Sequence, residues 1–172
     1  LEEYAVADML AYLAFVGLGA TRYQEGSSFM TGNLGRRVTG DRVTIWDDGH
    51  DPGGLLQAID YEGVPKEKVV LIEDGVARNV VHDSFTSARQ GARSTGHALP
   101  APNTWGPFPG NLFMAGGDLP KERLVQGVDR GLWITRFHYV NVMDPKATTI
   151  TGMTRGGTFL IENGEVTRPI KN

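Results

Sequence analysis

The sequence predicts a strand-rich α+β fold with a mainly antiparallel sheet, hairpins and a few short helices. Glycine accounts for 23 of the 172 residues, and the glycines are scattered between short β-like runs, where tight turns need positive φ angles. Asp-Gly and Asn-Gly pairs stand between apolar runs in residues 69–76 and 158–166, which is a strong signal for a hairpin. Neither a linker nor a charge run divides the chain, so we expect a single unit over residues 1–172.

Three segments have the pattern of helices. Apolar residues recur at three-to-four spacing over residues 4–16, and the glycines from Gly17 onward are expected to end this helix. Asp83, or the serine that follows it, is placed to cap a short helix that ends at the glycine in position 91. Pro120 suits the first turn of a third helix over residues 121–125.

The hairpin turns are expected at residues 73–75 and 162–164, where the Asp-Gly and Asn-Gly pairs lie. Residues 42–46 alternate like a further strand, which the turn-forming sequence Asp47-Asp48-Gly49 is predicted to end. Residues 132–140 and 148–151 are β-rich in composition. The proline-rich stretch between residues 98 and 110 is predicted to be a long loop.

Composition excludes several classes of function. The net charge of −3 removes the basic face that a nucleic-acid-coating protein needs. The longest apolar stretch, over residues 9–20, is too short to span a bilayer, so we expect no membrane partner. The chain has no cysteine, which excludes disulfides and thiolate metal ligands within it. Nothing reads as a signal peptide, so a cytoplasmic location is expected.

Some stretches of the chain contain residue types that serve in catalysis or metal binding. The run from Asp47 to Asp51 holds three carboxylates and a histidine, but its spacing does not fit a calcium loop, so a solvated turn is predicted. The neighbours His82, Asp83 and Ser84 include the residue types of a catalytic triad, but a triad is assembled from separated elements. The four histidines lack zinc-helix spacing. The residues alone therefore predict no catalytic residue and no metal ligand in this chain.

Several stretches in fixed order resemble the TldD/PmbA family, the "modulator of DNA gyrase" proteins that are classed as metallopeptidases. The resemblance lies in residues 23–32, 47–49, 60–65, 71–76, 94–97 and 160–164. Together these blocks cover nearly the whole chain. The resemblance implies the family's carboxy-terminal domain, with an amino-terminal domain absent from this sequence.

The resemblance also bears on zinc. TldD-like members carry the motif His-Glu-x-x-x-His just upstream of the matching blocks, and TldE/PmbA-like members lack it and pair with the first kind. In register, the motif falls on residues 2–7, where Glu3 matches the glutamate while Glu2 and Ala7 replace both histidines. The resemblance therefore implies a metal-free subunit without a cofactor of its own, and zinc is expected in a TldD-like partner subunit.

Three functions follow as alternatives. The first is a metal-free subunit of a TldD/PmbA-type proteolytic complex that processes peptides or unfolded proteins, paired with a TldD-like subunit or with a second copy. The second is an active zinc metallopeptidase whose ligands lie outside this chain. The third is an interaction module without proteolysis. Under the first, exposed strand edges beside the proline-rich loop would bind an extended peptide by strand addition.

The loop Thr95-Gly96-His97 is the candidate substrate-binding site. It follows a capped helix and precedes the proline-rich loop, so a tight, exposed turn is predicted there. Gly96 leaves room for a peptide backbone, while Thr95 and His97 add a hydroxyl and an imidazole that can orient polar groups. The alternative is a structural turn whose polar groups satisfy the local backbone.

Overall fold

A computed structural model describes residues 1–171. Its contacts group into two compact units: the first holds Leu1–Ala11, Gly116–Met143 and the chain from Ile150 onward, and the second holds Tyr12–Ala115 and Asp144–Thr149. The expected single unit stays a prediction, and the two units are described separately. The helices are α1 (Glu3–Leu13), α2 (Ala20–Gln24), α3 (Ser84–Gln90) and α4 (Lys121–Gln126). The strands are β1 (Ile45–Asp47), β2 (Val69–Glu73), β3 (Val76–Ala77), β4 (Leu112–Met114), β5 (Arg130–Asp144), β6 (Thr149–Glu162) and β7 (Glu165–Pro169).

A four-stranded antiparallel sheet in the order β3-β2-β1-β4 forms the second unit. The tight turn between β2 and β3 is confirmed as a hairpin, because Asp74 and Gly75 both have positive φ angles, of 50° and 79°. Two consecutive positive φ angles are typical of a type I′ turn, whose twist matches that of the strands it joins. Leu71 and Ile72 of β2 are fully buried, so this sheet carries the core of the unit.

A three-stranded sheet in the order β5-β6-β7 belongs to the first unit. The predicted hairpin at Asn163-Gly164 is confirmed: both residues have positive φ angles, of 51° and 79°, and β6 and β7 meet on either side of them. The antiparallel α+β fold class is therefore confirmed. Within the same unit, the start of α1 lies against β5: the Glu2 N–H donates to the carbonyl of Ile134, and the Asp8 carboxylate accepts from the Phe137 N–H.

The three predicted helices are present as α1, α3 and α4, with a difference at the end of α1, whereas α2 lies in a stretch where no helix was predicted. The first helix was expected to continue to Gly17, but α1 ends at Leu13 and a π-helical turn spans Ala14–Leu18. A side chain at Gly17 would lie 2.5 Å from the ring of Phe29, so close packing, beyond any helix-ending preference, requires glycine there. The third segment begins as α4 directly after Pro120, as predicted. No helix of residues 1–171 is long and apolar enough to cross a membrane.

The cap of α3 is confirmed in detail. Asp83 accepts a hydrogen bond from the backbone N–H of Thr86, and the Thr86 hydroxyl accepts one from the backbone N–H of Asp83. This reciprocal arrangement is a capping box. Gly91 ends the helix in the left-handed conformation, with φ of 66°.

The predicted solvated turn at Asp47 is wrong. Asp47 is the last residue of β1 and is fully buried. The chain then runs through residues 48–68 before β2 returns antiparallel to β1. The Asp-Asp-Gly sequence has the composition of a loop, but its first carboxylate faces inward, where it has charged and N–H partners.

Candidate functional site

The carboxylate of Asp47 is the centre of a buried polar cluster in the second unit. Its Oδ1 lies 2.8 Å from Nε2 of His97 and 3.7 Å from Nζ of Lys66. Its Oδ2 accepts a hydrogen bond of 2.7 Å from the backbone N–H of Asn111. All three side chains are almost inaccessible to water. The cluster therefore joins the end of β1 to three segments that are distant in sequence.

The charge on Asp47 is maintained by these contacts. Burial by itself raises the pKa of the carboxyl, but the hydrogen bond and charge of His97, the Asn111 N–H and the Lys66 ammonium together hold the pKa below its ordinary value. An ionised carboxylate beside a buried ammonium is a paired arrangement, whereas either group alone would be strongly disfavoured in the interior. The cluster is thus a structural centre whose members depend on one another.

The loop of Thr95, Gly96 and His97 is anchored by this cluster. The prediction that it forms an exposed turn is wrong, because Gly96 and His97 are buried. The His97 ring uses both nitrogens: Nε2 contacts Asp47, and Nδ1 lies 2.8 Å from the Thr95 carbonyl oxygen. Gly96 has φ of 73°, and a Cβ there would lie 2.3 Å from the carbonyl oxygen of Pro65. Here glycine allows close approach of the protein's own backbone.

Thr95 links this loop to the segment that precedes α3. Its Oγ1 accepts from the backbone N–H of His82 at 2.8 Å, and its own N–H donates to the His82 carbonyl oxygen at 3.1 Å. The Thr95 carbonyl oxygen also accepts from the Glu67 N–H at 3.0 Å. Unlike its two neighbours in the loop, Thr95 is only partly buried.

A cleft of about 480 Å³ opens beside Thr95 in the second unit. Its walls come from the start of β2, from residues 79–82 and from the end of α3. It combines valine side chains with polar and charged groups, and its lining residues include Val69, Val70, Val80, His82, Arg93 and Thr95. Of the three predicted site residues, Thr95 is the one that lines this cleft. Substrate binding at Thr95, Gly96 and His97 stays a prediction.

His82 is the unusual residue of the cleft. It is 7% exposed, and its Nδ1 is enclosed without a hydrogen-bond partner. Burial is the largest influence on its pKa and lowers it, helped by the nearby His97, while Asp83 acts in the opposite direction. The sequence placed this histidine in a run of triad residue types, with Asp83 and Ser84, and predicted no function for it. No local pattern distinguishes a histidine that faces a cleft from one that packs in a core.

Residues 2–7, on which the resemblance places the zinc motif, lie at the start of α1, in the first unit. Glu2 accepts a 2.8 Å hydrogen bond from Nε1 of Trp133 and lies 3.9 Å from Nζ of Lys121. Glu3 pairs with the same ammonium at 3.0 Å. Ala7 has no donor atom. A catalytic zinc site takes three protein ligands and is most often built with histidine, so these residues do not fit the metal.

The rest of the described chain likewise offers no set of metal ligands. Among residues 1–171, no group of three or more His, Cys, Asp or Glu side chains is arranged so that it could hold a metal ion. The run from Asp47 to Asp51 contains three acids and a histidine. In the structure its side chains face different partners. Asp47 faces the buried cluster, while the Asp48 carboxylate caps the N–H of His50 and pairs with Lys68.

Known proteins resemble this chain throughout its length. Residues 1–172 match the family description "PmbA/TldA metallopeptidase C-terminal domain". The chain is 30% identical over 163 residues to a metalloprotease TldD homolog of Buchnera aphidicola, with 91% of this chain and 32% of the relative covered. It is 31% identical over 155 residues to the metalloprotease PmbA of Escherichia coli O157:H7, with 88% and 31% covered.

Solved structures agree with the sequence relatives. The crystal structure of TldE from Thermococcus kodakarensis superimposes with a TM-score of 0.84 at 26% identity, covering 98% of this chain and 38% of that one. The chain spans about a third of the length of the curated relatives it matches. The match over all 172 residues and the shared fold lead to one conclusion: the chain belongs to the TldD/PmbA metallopeptidase family and corresponds to its C-terminal domain.

Proposed function

We propose that this chain is part of a metal-free, TldE/PmbA-type subunit that acts with a zinc-bearing TldD-like subunit in a proteolytic complex. The complex would process peptides or unfolded proteins in the cytoplasm. In this arrangement the chain supplies fold and peptide contacts, and the partner supplies the metal.

The residues at the zinc-motif positions carry this proposal. By the resemblance, Glu2 and Ala7 take the positions of the two histidines of a TldD-like protein. The Glu2 carboxylate is already engaged by an indole N–H and an ammonium. A cation beside a carboxylate opposes a second cation at the same place, because like charges repel. The start of α1 is therefore suited to holding the helix against β5 and α4, and poorly suited to binding Zn²⁺.

The relatives supply the proteolytic context. The curated relatives described above are named metalloproteases, and the structural neighbour described above is a TldE. A peptide site on this chain would use the loop of Thr95, Gly96 and His97. Two of these residues are buried, so Thr95, on the cleft side, is the residue that a peptide would contact.

The experiment is a metal and activity analysis of the full-length protein, alone and co-expressed with a TldD-like partner. We expect the protein alone to bind no stoichiometric zinc and to leave unfolded casein intact, and the complex to contain zinc and cleave casein. Stoichiometric zinc together with cleavage by the protein alone would reject the proposal. A stable complex without any cleavage would instead indicate a non-proteolytic interaction module.

A matched variant examines the one residue that agrees with the family motif. Glu3→Gln keeps the size of the side chain and removes its charge, and Glu3 is exposed, so the fold is expected to be preserved. Casein cleavage by the complex should be unchanged if the partner subunit supplies the catalytic glutamate. A large loss of cleavage with an unchanged melting temperature would place Glu3 in the catalytic machinery and contradict the proposal.

A further inference from the structure

We propose that the cleft beside β2 binds a short extended peptide segment that carries aliphatic side chains, with the Nε2–H of His82 donating a hydrogen bond to a main-chain carbonyl oxygen of that peptide. This inference rests on the proposed function, because it gives the peptide a defined place on this chain. All the residues that carry it belong to the second unit.

His82 has hydrogen-bonding capacity that the protein leaves unused. Its backbone is fully engaged, since its N–H and its carbonyl oxygen both bond to Thr95. The Nδ1 atom of its ring, in contrast, is enclosed without a hydrogen-bond partner among residues 1–171. Because His82 lines the cleft and its Nδ1 is enclosed, Nε2 is the ring nitrogen that is left to meet a ligand. A polar ring in this position lacks a partner that a ligand can supply.

The neutral His82 ring carries its proton on Nε2. Burial lowers the pKa of His82, so the ring is neutral near pH 7 and carries one N–H. The proton could lie on Nδ1 or on Nε2. A proton on the enclosed Nδ1 would be a donor without an acceptor, which is the less favourable tautomer because orphaned donors are rarer in proteins than under-used acceptors. The proton therefore resides on Nε2, and Nδ1 keeps its lone pair. The cleft thus presents a donor, and its ligand must bring an acceptor.

Strand β2 forms one wall of the cleft. β2 pairs with β1 along its length, but β3 pairs only with Ile72 and Glu73. Val69 and Val70 therefore extend past the end of β3, with the cleft beside them. The Val70 carbonyl oxygen accepts a 3.0 Å hydrogen bond from the side-chain amide of Asn79. Such a wall suits a chain in extended conformation.

The lining of the cleft favours an uncharged segment over an anionic ligand. Two cations line the cleft, and each already has a carboxylate partner: Lys68 lies 3.5 Å from Asp48, and Arg93 pairs with Glu67. The remaining lining combines Leu34, Val69, Val70 and Val80 with the polar side chains of Asn79, Gln90 and Thr95. Cations that are already paired disfavour a phosphate, and a mixed apolar and polar lining suits the side chains and neutral main-chain groups of a peptide.

The test measures binding to the full-length protein of a fluorescein-labelled, amidated heptapeptide of alternating serine and valine, by fluorescence anisotropy. Saturable binding is expected for the wild type. His82→Leu should weaken binding by about tenfold, the effect of one lost hydrogen bond. His82→Gln, which keeps an N–H near the position of Nε2, should restore most of the affinity. His138→Leu, in the first unit, is the matched control and should bind like the wild type.

Absence of saturable binding by the wild type, or a Kd for His82→Leu within twofold of the wild type, would overturn the inference. A nitrogen NMR spectrum of the ring that shows the proton on Nδ1 would also overturn it. These failures are separable from failure of the proposed function, because casein cleavage and zinc content of the assembled complex are measured independently of the cleft. Normal cleavage with no peptide in the cleft would reject this inference alone.

Discussion

Nε2 of His97 lies 2.8 Å from Oδ1 of Asp47, although 50 positions separate the two residues in the sequence. This contact ties the loop that contains Thr95 to the end of β1. The loop in turn borders the cleft through Thr95. The position of this cleft wall therefore depends on the buried hydrogen bond between His97 and Asp47.

Removal of the Asp47 carboxylate should strongly destabilise the protein. Asp47→Ala leaves the Lys66 ammonium buried without its carboxylate, and breaking a buried pair in this way costs about 3–5 kcal/mol. The free energy of unfolding, measured by urea denaturation, gives the size of the effect.

Asp48→Asn is the control for that measurement. Asp48 pairs with Lys68, and the lysine side chain is 55% exposed while that of Asp48 is 14% exposed. Because the ammonium stays in water, the pair should contribute no more than about 1 kcal/mol. The asparagine oxygen can still accept from the His50 N–H. Equal losses for Asp47→Ala and Asp48→Asn would contradict the structural role assigned to the buried cluster.

Gly96 should tolerate no side chain, because two separate constraints act there. Its φ of 73° is unfavourable for other residues, and a Cβ would lie 2.3 Å from the Pro65 carbonyl oxygen. We expect Gly96→Ala to lower the free energy of unfolding by more than about 2 kcal/mol. Gly91→Ala is the control, because its φ is 66° but nothing lies within 4 Å, so backbone strain alone should cost about 1 kcal/mol. A smaller loss at Gly96 than at Gly91 would show that the loop moves away from residue 65.

Local signals predicted the turns and caps of this fold. Asp74-Gly75 and Asn163-Gly164 were assigned to hairpins because few other residue pairs adopt two successive positive φ angles. Asp83 was assigned to a helix cap because a short acceptor side chain reaches the free N–H groups of the first turn. Each of these features depends on residues only a few positions apart, which is why the sequence alone was sufficient.

The buried cluster was missed for the opposite reason. Asp47 was assigned to a solvated turn, since Asp-Asp-Gly is typical of loops, and its partners Lys66 and His97 lie far along the chain. The loop at Thr95 was expected to be exposed, since it follows a capped helix and precedes the proline-rich loop. Burial of such a sequence becomes favourable only when distant charges and N–H groups are in place, and single-sequence patterns do not record those contacts.

Acid should destabilise the protein through Asp47. The folded pKa of this carboxyl lies below its ordinary value, so the unfolded chain takes up the proton first as the pH falls. The stabilising contribution is complete above the unfolded pKa of about 3.9 and is lost as the pH falls through the folded pKa. Urea denaturation between pH 5.5 and pH 3 measures this loss. Asp47→Asn should be less stable at pH 5.5 and should show a flatter dependence on pH; an unchanged slope would assign the acid sensitivity to other carboxylates.

His82 should reduce stability below neutral pH, and its replacement should remove this effect. The folded pKa is lowered, so between the unfolded pKa of about 6.5 and the folded pKa the unfolded chain binds a proton that the folded protein does not. Stability therefore falls as the pH decreases from 7.5 and levels off below the folded pKa.

His82→Leu also removes the enclosed Nδ1 that has no partner, so at pH 7.5 the variant should be about 1 kcal/mol more stable than the wild type. The difference should widen toward pH 5.5 in urea denaturation. A wild type and a His82→Leu variant with parallel pH profiles would show that the ring is protonated equally in the folded and unfolded states.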